Sequence, residues 1–182
     1  AHQTNTKNIS MLIYNKDFSV SPITTHVPLK KVVSNLTRGK IIKNISLLNN
    51  FYRKKLKLKP KIAVLGLNPH CETNLKTSEE KKLIIPAIKF LKKKSLNISG
   101  PYPTDTFFIK ENIKNFDLVI GMYHDQVLTP LKTLYEFDAI NITVGLPFIR
   151  ISPDHGPNEK MVSKGKSDNI SLIKCLKFLE NI

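Results

Sequence analysis

Three histidines stand where apolar segments give way to polar ones: His26 in TTHVPL, His70 in LNPH and His124 in MYHDQ. Imidazole nitrogens from separate loops can bind one divalent metal and leave positions open for a substrate. The three are far apart in the chain, so spacing leaves a second reading standing, in which each is a capping or hydrogen-bonding residue. Asp105 in PTDT and Asp125 beside His124 can orient a metal-bound ring or work as acid and base. For Asp105 the competing role is a helix N-cap. Lys132, Asn141 and Arg150 can hold an anionic substrate, the arginine through a bidentate contact to phosphate or carboxylate. In a lysine-rich chain a solvated lysine is the ordinary alternative. Cys71 follows His70, but nothing near it has the pattern of a thiol-enzyme motif.

Such residues act together only if the elements before them end in one place. ISMLIYN (9–15) reads as a strand, and DFSVSPITTHVPL as a second extended piece. Pro28 permits a short helix, which Gly39 ends. From Lys40 to Leu56 the residues Ile41, Ile45, Leu48 and Tyr52 recur at helical spacing. KIAVLGL (61–67) is a compact apolar strand. Thr77 with Glu80 matches a capping box, opening a helix in which Pro86 is awkward. GPYPTDTFF reads as a loop entering a helix near Asp105, and FDLVIGMY as the next strand. DAINITVGLP reads as a further strand continuing into FIRIS. A turn-rich loop follows, and the chain closes on a helix with Leu172, Leu176 and Leu179 on one side. Alternating strands and helices predict an α/β fold with a largely parallel sheet. Ligands gather at the carboxyl ends of strands in such sheets, where the polar clusters fall.

The chain has 182 residues, 41% of them hydrophobic, enough for one sizeable core or for one domain plus part of another. The formal net charge is +15, but the lysines are scattered over what read as solvated helix faces. No aromatic–basic alternation of an RNA-binding strand appears, so a nucleic-acid partner is not expected. An anionic small substrate suits the charge equally well. No apolar run is long enough to span a membrane, and the first residues lack the apolar core of a signal peptide. Two cysteines without CxxC spacing read as reduced thiols of a cytoplasmic protein. The chain opens on Ala1, not Met, which reads as processing, trimming or a fragment.

Taken together, TTHVPL, GLNPH, IIPAI, GPYPTDTFF, MYHDQVLTPLK, INITVGLPFIR and SPDHG resemble, in order, the 4-hydroxythreonine-4-phosphate dehydrogenase family of pyridoxal phosphate biosynthesis. The likeness runs across nearly the whole chain and is to the C-terminal part of that longer enzyme. The family's upstream Gly-His-Thr-Glu motif is not found here, and His2 does not stand in for it. The resemblance implies a fold like the isocitrate and isopropylmalate dehydrogenases, with two α/β domains and a cleft between them. Residues 1–135 then form a central metal-binding and dimerisation region, and 136–182 return to the cofactor-binding domain. It implies His26, His70 and His124 as ligands of a divalent metal (zinc, magnesium or cobalt), shared across a homodimer interface. It implies Lys132, Asn141 and Arg150 on a phosphorylated substrate, and Lys132 and Asp105 as catalytic groups. The loop DHGPNEKMVSKGKSD resembles an adenosine-binding loop, which assigns His155, Gly156, Gly165 and Asp168 to NAD or NADP.

Three features depart from the family. CETNLKTSEE replaces a glycine-rich run after NPH, Pro157 replaces the usual threonine after DHG, and fewer small residues follow. The implied activity is oxidation of 4-phosphooxy-L-threonine to a 3-oxo acid that decarboxylates to 3-amino-2-oxopropyl phosphate. The alternatives are a dehydrogenase of four-carbon sugar-acid phosphates, such as threonate or erythronate 4-phosphate, and an inactive, truncated remnant.

Overall fold

A computed structural model describes residues 4, 6, 8–72, 75–154, 165 and 169–182. Seven short runs build one sheet: β1 (Ser10–Tyr14), β2 (Ser19–Thr24), β3 (Ile62–Leu65), β4 (Ile98–Tyr102), β5 (Leu118–Tyr123), β6 (Ile140–Val144) and β7 (Arg150–Pro153). Across the sheet they stand in the order β4-β3-β5-β2-β1-β6-β7. The four strands from β4 to β2 are mutually parallel. β1 is antiparallel to both β2 and β6, and β7 is antiparallel to β6.

The fold is α/β, as expected, but the sheet is parallel over one half only. Short links cause the difference, since a few residues suffice for an antiparallel return and not for a parallel crossover. β6 does not continue into FIRIS. Gly145 has φ of 107°, and a Cβ there would collide with the carbonyl oxygen of Asn8. The chain turns at that glycine, and β7 folds back with Ile151 opposite Ile142.

The helices are α1 (Val32–Asn35), α2 (Arg38–Lys55), α3 (Ile85–Lys93), α4 (Thr104–Phe107), α5 (Lys110–Ile113), α6 (His124–Tyr135) and α7 (Ile170–Glu180). Strand residues alternate between two cores. On one face Ile62, Val64 and Ile120 meet Ile45 and Leu48 of α2 and Ile88 and Leu91 of α3. On the other, Ala63, Leu65 and Val119 meet Val127, Leu128 and Leu131 of α6.

Local departures from the sequence reading have local causes. Gly39 does not end a helix but lies inside the first turn of α2, whose N-cap Thr37 accepts the Lys40 N–H. The break falls one step earlier, at extended Leu36. Thr77 and Glu80 do not form the capping box. Ser78 Oγ accepts the Lys81 N–H, and the Glu80 carboxylate is bonded elsewhere. A π-helical turn, Glu80–Ile84, precedes α3, so Pro86 falls in the first turn of α3, where an N–H is not needed. Residues 100–102 of the predicted loop belong to β4. In α7 the buried side is Ser171 and Cys175, and Leu172, Leu176 and Leu179 face outward. Two contacts set that orientation: Ser171 Oγ donates to the Ala139 carbonyl at 2.6 Å, and the Phe178 ring meets Tyr14 edge-on at 5.0 Å. Among the described residues no helix is long and apolar enough to cross a membrane.

Candidate active site

Four parallel strands ending side by side bring four predicted residues to one edge. Asp105 follows β4, His70 follows β3, His124 follows β5 and His26 follows β2, in the order of the strands across the sheet. This is the carboxyl edge, where open α/β sheets bind ligands.

His124 is the first residue of α6, which springs directly from β5. That junction is tight: a Cβ on Gly121 would lie 2.5 Å from Val127 Cγ1. His124 Nδ1 is 2.7 Å from Asp125 Oδ1. With the carboxylate accepting the Nδ1 proton, Nε2 keeps its lone pair for a ligand. The His26 and His124 rings are 5.6 Å apart, centroid to centroid. His70 is exposed and has left-handed backbone (φ 53°), as does Cys71 (φ 55°). Its Nε2 is 3.6 Å from Asp105 Oδ2, close enough for charge attraction and too long for a hydrogen bond. Within one chain the residues form two pairs, His26–His124 and His70–Asp105. Among the described residues no group of three or more His, Cys, Asp or Glu converges on a point.

Beneath this edge lies a buried polar layer that sequence reasoning missed. Gln126 Oε1 accepts the Met122 N–H at 2.6 Å, and its Nε2 donates to the Gly66 carbonyl at 2.6 Å and to Thr104 Oγ1 at 2.8 Å. Thr24 Oγ1 donates to the Met122 carbonyl at 2.7 Å. Glu80 is fully buried, and its carboxylate accepts the N–H groups of Leu67 and Asn68, each at 2.8 Å, and Asn68 Nδ2 at 2.9 Å. Neither residue stands out in the sequence, where Gln126 lies between Asp125 and Val127 and Glu80 between Glu79 and Lys81. Cys71 is buried beneath the same loop, and burial pushes its thiol pKa up, which suits packing and not nucleophilic attack.

The predicted substrate residues lie further along the molecule. Lys132 is on α6, eight residues from His124, about 12 Å along the helix axis. Its Nζ is 3.0 Å from Asp154 Oδ2 and 3.1 Å from the Asp154 carbonyl oxygen. Asn141 stands on β6 beside Ile13 of β1, on the sheet face that α6 covers. Among the described residues its buried Oδ1 has no hydrogen-bond partner. Arg150 is exposed on β7 and donates to Thr143 Oγ1 at 2.7 Å. Of the predicted cofactor residues, Gly165 has φ of 61° with open space where a Cβ would be. His155, Gly156 and Asp168 lie outside the described residues.

Residues 1–179 match the model of the family described as pyridoxal phosphate biosynthetic protein PdxA. A 4-hydroxythreonine-4-phosphate dehydrogenase of Sulfurihydrogenibium sp. is 43% identical over 97% of this chain and 55% of its own length. A D-threonate 4-phosphate dehydrogenase of Salmonella typhimurium is 36% identical over 96% of this chain and 54% of its own. The solved 4-hydroxythreonine-4-phosphate dehydrogenase of Klebsiella pneumoniae superposes with a TM-score of 0.83 at 36% identity, over 98% of this chain and 55% of that one. The chain thus spans about half the length of the curated relatives it matches. A family match over nearly every residue, with the same α/β dehydrogenase fold in a solved relative, places the chain in the PdxA family.

Proposed function

We propose that this chain is the metal- and substrate-binding portion of a cytoplasmic, NAD- or NADP-dependent 4-hydroxythreonine-4-phosphate dehydrogenase. The observation that carries the reading is the row of His26, His124, His70 and Asp105 along one carboxyl edge. The donor set fits a divalent metal such as zinc, magnesium or cobalt: neutral imidazoles, one with its second nitrogen held by a carboxylate. Because the two pairs do not converge within one chain, the reading has a second copy completing the set, giving a homodimer with shared sites. Residues 1–135 supply the metal edge, and 136–182 lead toward the cofactor, with His155, Gly156, Gly165 and Asp168 on it.

A divalent metal held by His26, His70 and His124 would supply polarisation of the substrate alcohol, and a nicotinamide held by His155, Gly156, Gly165 and Asp168 would supply the hydride acceptor. The chain's own residues hold the substrate and move the proton. Lys132 and Arg150 are cationic donors for phosphate or carboxylate, and the unpartnered Asn141 Oδ1 is an acceptor suited to a substrate hydroxyl or ammonium. The ammonium of Lys132, ion-paired with Asp154, has no lone pair in that state, whereas Asp105 is exposed and can accept the hydroxyl proton directly or through water. Loss of the hydride and that proton turns 4-phosphooxy-L-threonine into a 3-oxo acid. Its carbon–carboxylate bond then breaks, releasing carbon dioxide, and the carbon left with the electron pair takes up a proton from solvent to give 3-amino-2-oxopropyl phosphate.

The test is metal content together with NAD(P) reduction, for this chain and for one extended to the relatives' full length. Stoichiometric metal, lost in His124→Ala, is the expected result, with turnover of 4-phosphooxy-L-threonine in the longer chain. Retained metal and activity in His124→Ala would overturn the assignment. The Salmonella relative's name supports a second substrate reading, D-threonate 4-phosphate. Turnover of that compound or of D-erythronate 4-phosphate, and none of the aminated substrate, would select it.

A further inference from the structure

The candidate ligands and Asp105 follow four separate strands, His124 directly at a strand–helix junction. Something must hold the loops at a fixed spacing. One side chain bonds at the ends of three of those strands, β5, β3 and β4. Gln126 lies two residues past His124, faces inward and is 5% exposed. Its carboxamide makes three bonds: one to the Met122 N–H at the end of β5, one to the Gly66 carbonyl where the His70 loop begins, and one to Thr104 Oγ1 beside Asp105. The amide can sit only one way round, because Met122 offers a donor and Gly66 an acceptor. The fourth strand joins through Met122, whose carbonyl accepts Thr24 Oγ1 two residues before His26. Glu80 then anchors the next two residues of the His70 loop, Leu67 and Asn68. His70 itself has left-handed backbone, a conformation that persists only where surrounding bonds dictate it.

We infer that Gln126 is the positioning residue of this site, its one carboxamide setting the spacing of the loops that carry His70, Asp105 and His124. This rests on the metal reading given above. A nonpolar residue of the same size would fill the space but leave the Met122 N–H and Gly66 carbonyl unbonded, freeing the loops to drift. A glutamate would keep the acceptor for Met122 and lose the donor that reaches β3 and β4. The helix would remain and the cross-strand ties would go.

The experiment is a cobalt(II) titration of the 182-residue chain, followed by its visible d–d band, which reports ligand number and geometry. The variants are Gln126→Glu, Thr104→Val and, as a packing control on the opposite face, Ile45→Val. Folding is checked by far-ultraviolet circular dichroism at the titration temperature. Gln126→Glu should weaken cobalt binding by about tenfold or more and alter the band, as loss of a supporting hydrogen-bond shell does. Thr104→Val, which removes one of the three bonds and changes no charge, should give a smaller loss of the same kind, and it keeps the test decisive should Gln126→Glu not fold. Ile45→Val should lower the melting temperature and leave the cobalt affinity and band unchanged. Folded Gln126→Glu and Thr104→Val chains with wild-type affinity and band would overturn the positioning role alone. A wild-type chain that takes up no cobalt would overturn the metal reading, and this inference with it.

Discussion

At the scale of single residues, the candidate site rests on a layer of buried polar groups beneath it. Glu80 is the clearest after Gln126. It is a fully buried carboxylate whose partners are two backbone amides and one side-chain amide, all in the loop that presents His70. Removing an acceptor strands those donors in a dry interior, at a cost of about 1–3 kcal/mol. Glu80→Ala should therefore lower the unfolding free energy in urea by about 2 kcal/mol. Among the described residues Glu79 accepts from the Asn68 side-chain amide alone, at 2.8 Å, so Glu79→Ala should cost less than half as much. Equal losses in the two variants would show that the carboxylate cradle is not what holds the loop. The metal-candidate histidines were legible in the sequence, because each follows an apolar run with abrupt polarity. Gln126 and Glu80 were not, since their meaning lies in which strand ends are neighbours. A chain read in order does not reveal that Gly66, Thr104 and Met122 meet.

At the scale of elements, two glycines show what sequence periodicity reads and what it misses. Gly39 stands between Arg38 and Lys40, and Gly121 between Ile120 and Met122. Gly39 reads as a helix breaker, but it occupies the first turn of α2, and a Cβ there would meet nothing within 4 Å. Gly121 sits in β5 just before the turn into α6, where a Cβ would lie 2.5 Å from Val127 Cγ1 and 3.1 Å from Gln126 Oε1. The same substitution should have opposite signs. Gly39→Ala should stabilise by about 0.5–1 kcal/mol, by restricting the unfolded chain in a conformation alanine accepts. Gly121→Ala should destabilise by about 1–3 kcal/mol, the usual cost of overpacking a dense core. Urea midpoints for the two variants check this directly, and a destabilising Gly39→Ala would mean that α2 does not begin at Arg38. The reading of α7 as a helix with three leucines on one side holds, but it left open which way that side faces. Its leucines mark an apolar stripe, but a stripe does not say which way a helix is turned, and here the Ser171 bond and the Phe178 ring decide.

At the scale of the whole molecule, the sheet has two working ends. The carboxyl edge carries the candidate site, while the opposite edge is closed by Tyr52, which reaches from α2 to the Asp117 carbonyl at 3.3 Å, just before β5. The α/β class and the four parallel strands were legible from alternating apolar runs. The antiparallel half was not, because the turn at Gly145 is written in backbone geometry and not in hydrophobic pattern. Tyr52 is almost fully buried, and burial pushes its phenol pKa well above the ordinary tyrosine range. Tyr14 and Tyr135 are raised in the same direction by the same cause. The folded chain therefore holds protons that the unfolded chain releases above about pH 10. Stability from these groups is fully present below that pH and falls as the pH rises, by up to about 1.4 kcal/mol per pH unit for Tyr52 and by less for the more exposed Tyr14 and Tyr135. Tyr52→Phe removes one weak hydrogen bond, so at pH 7 its urea midpoint should differ from wild type by no more than about 1 kcal/mol of stability. Between pH 10 and about 11.5 the wild-type chain should lose stability faster than the variant, with Tyr14 and Tyr135 leaving a residual slope in both. Parallel curves for the two proteins across that window would show that Tyr52 ionises as freely in the folded chain as in the unfolded one, and that the edge opposite the site is open to water.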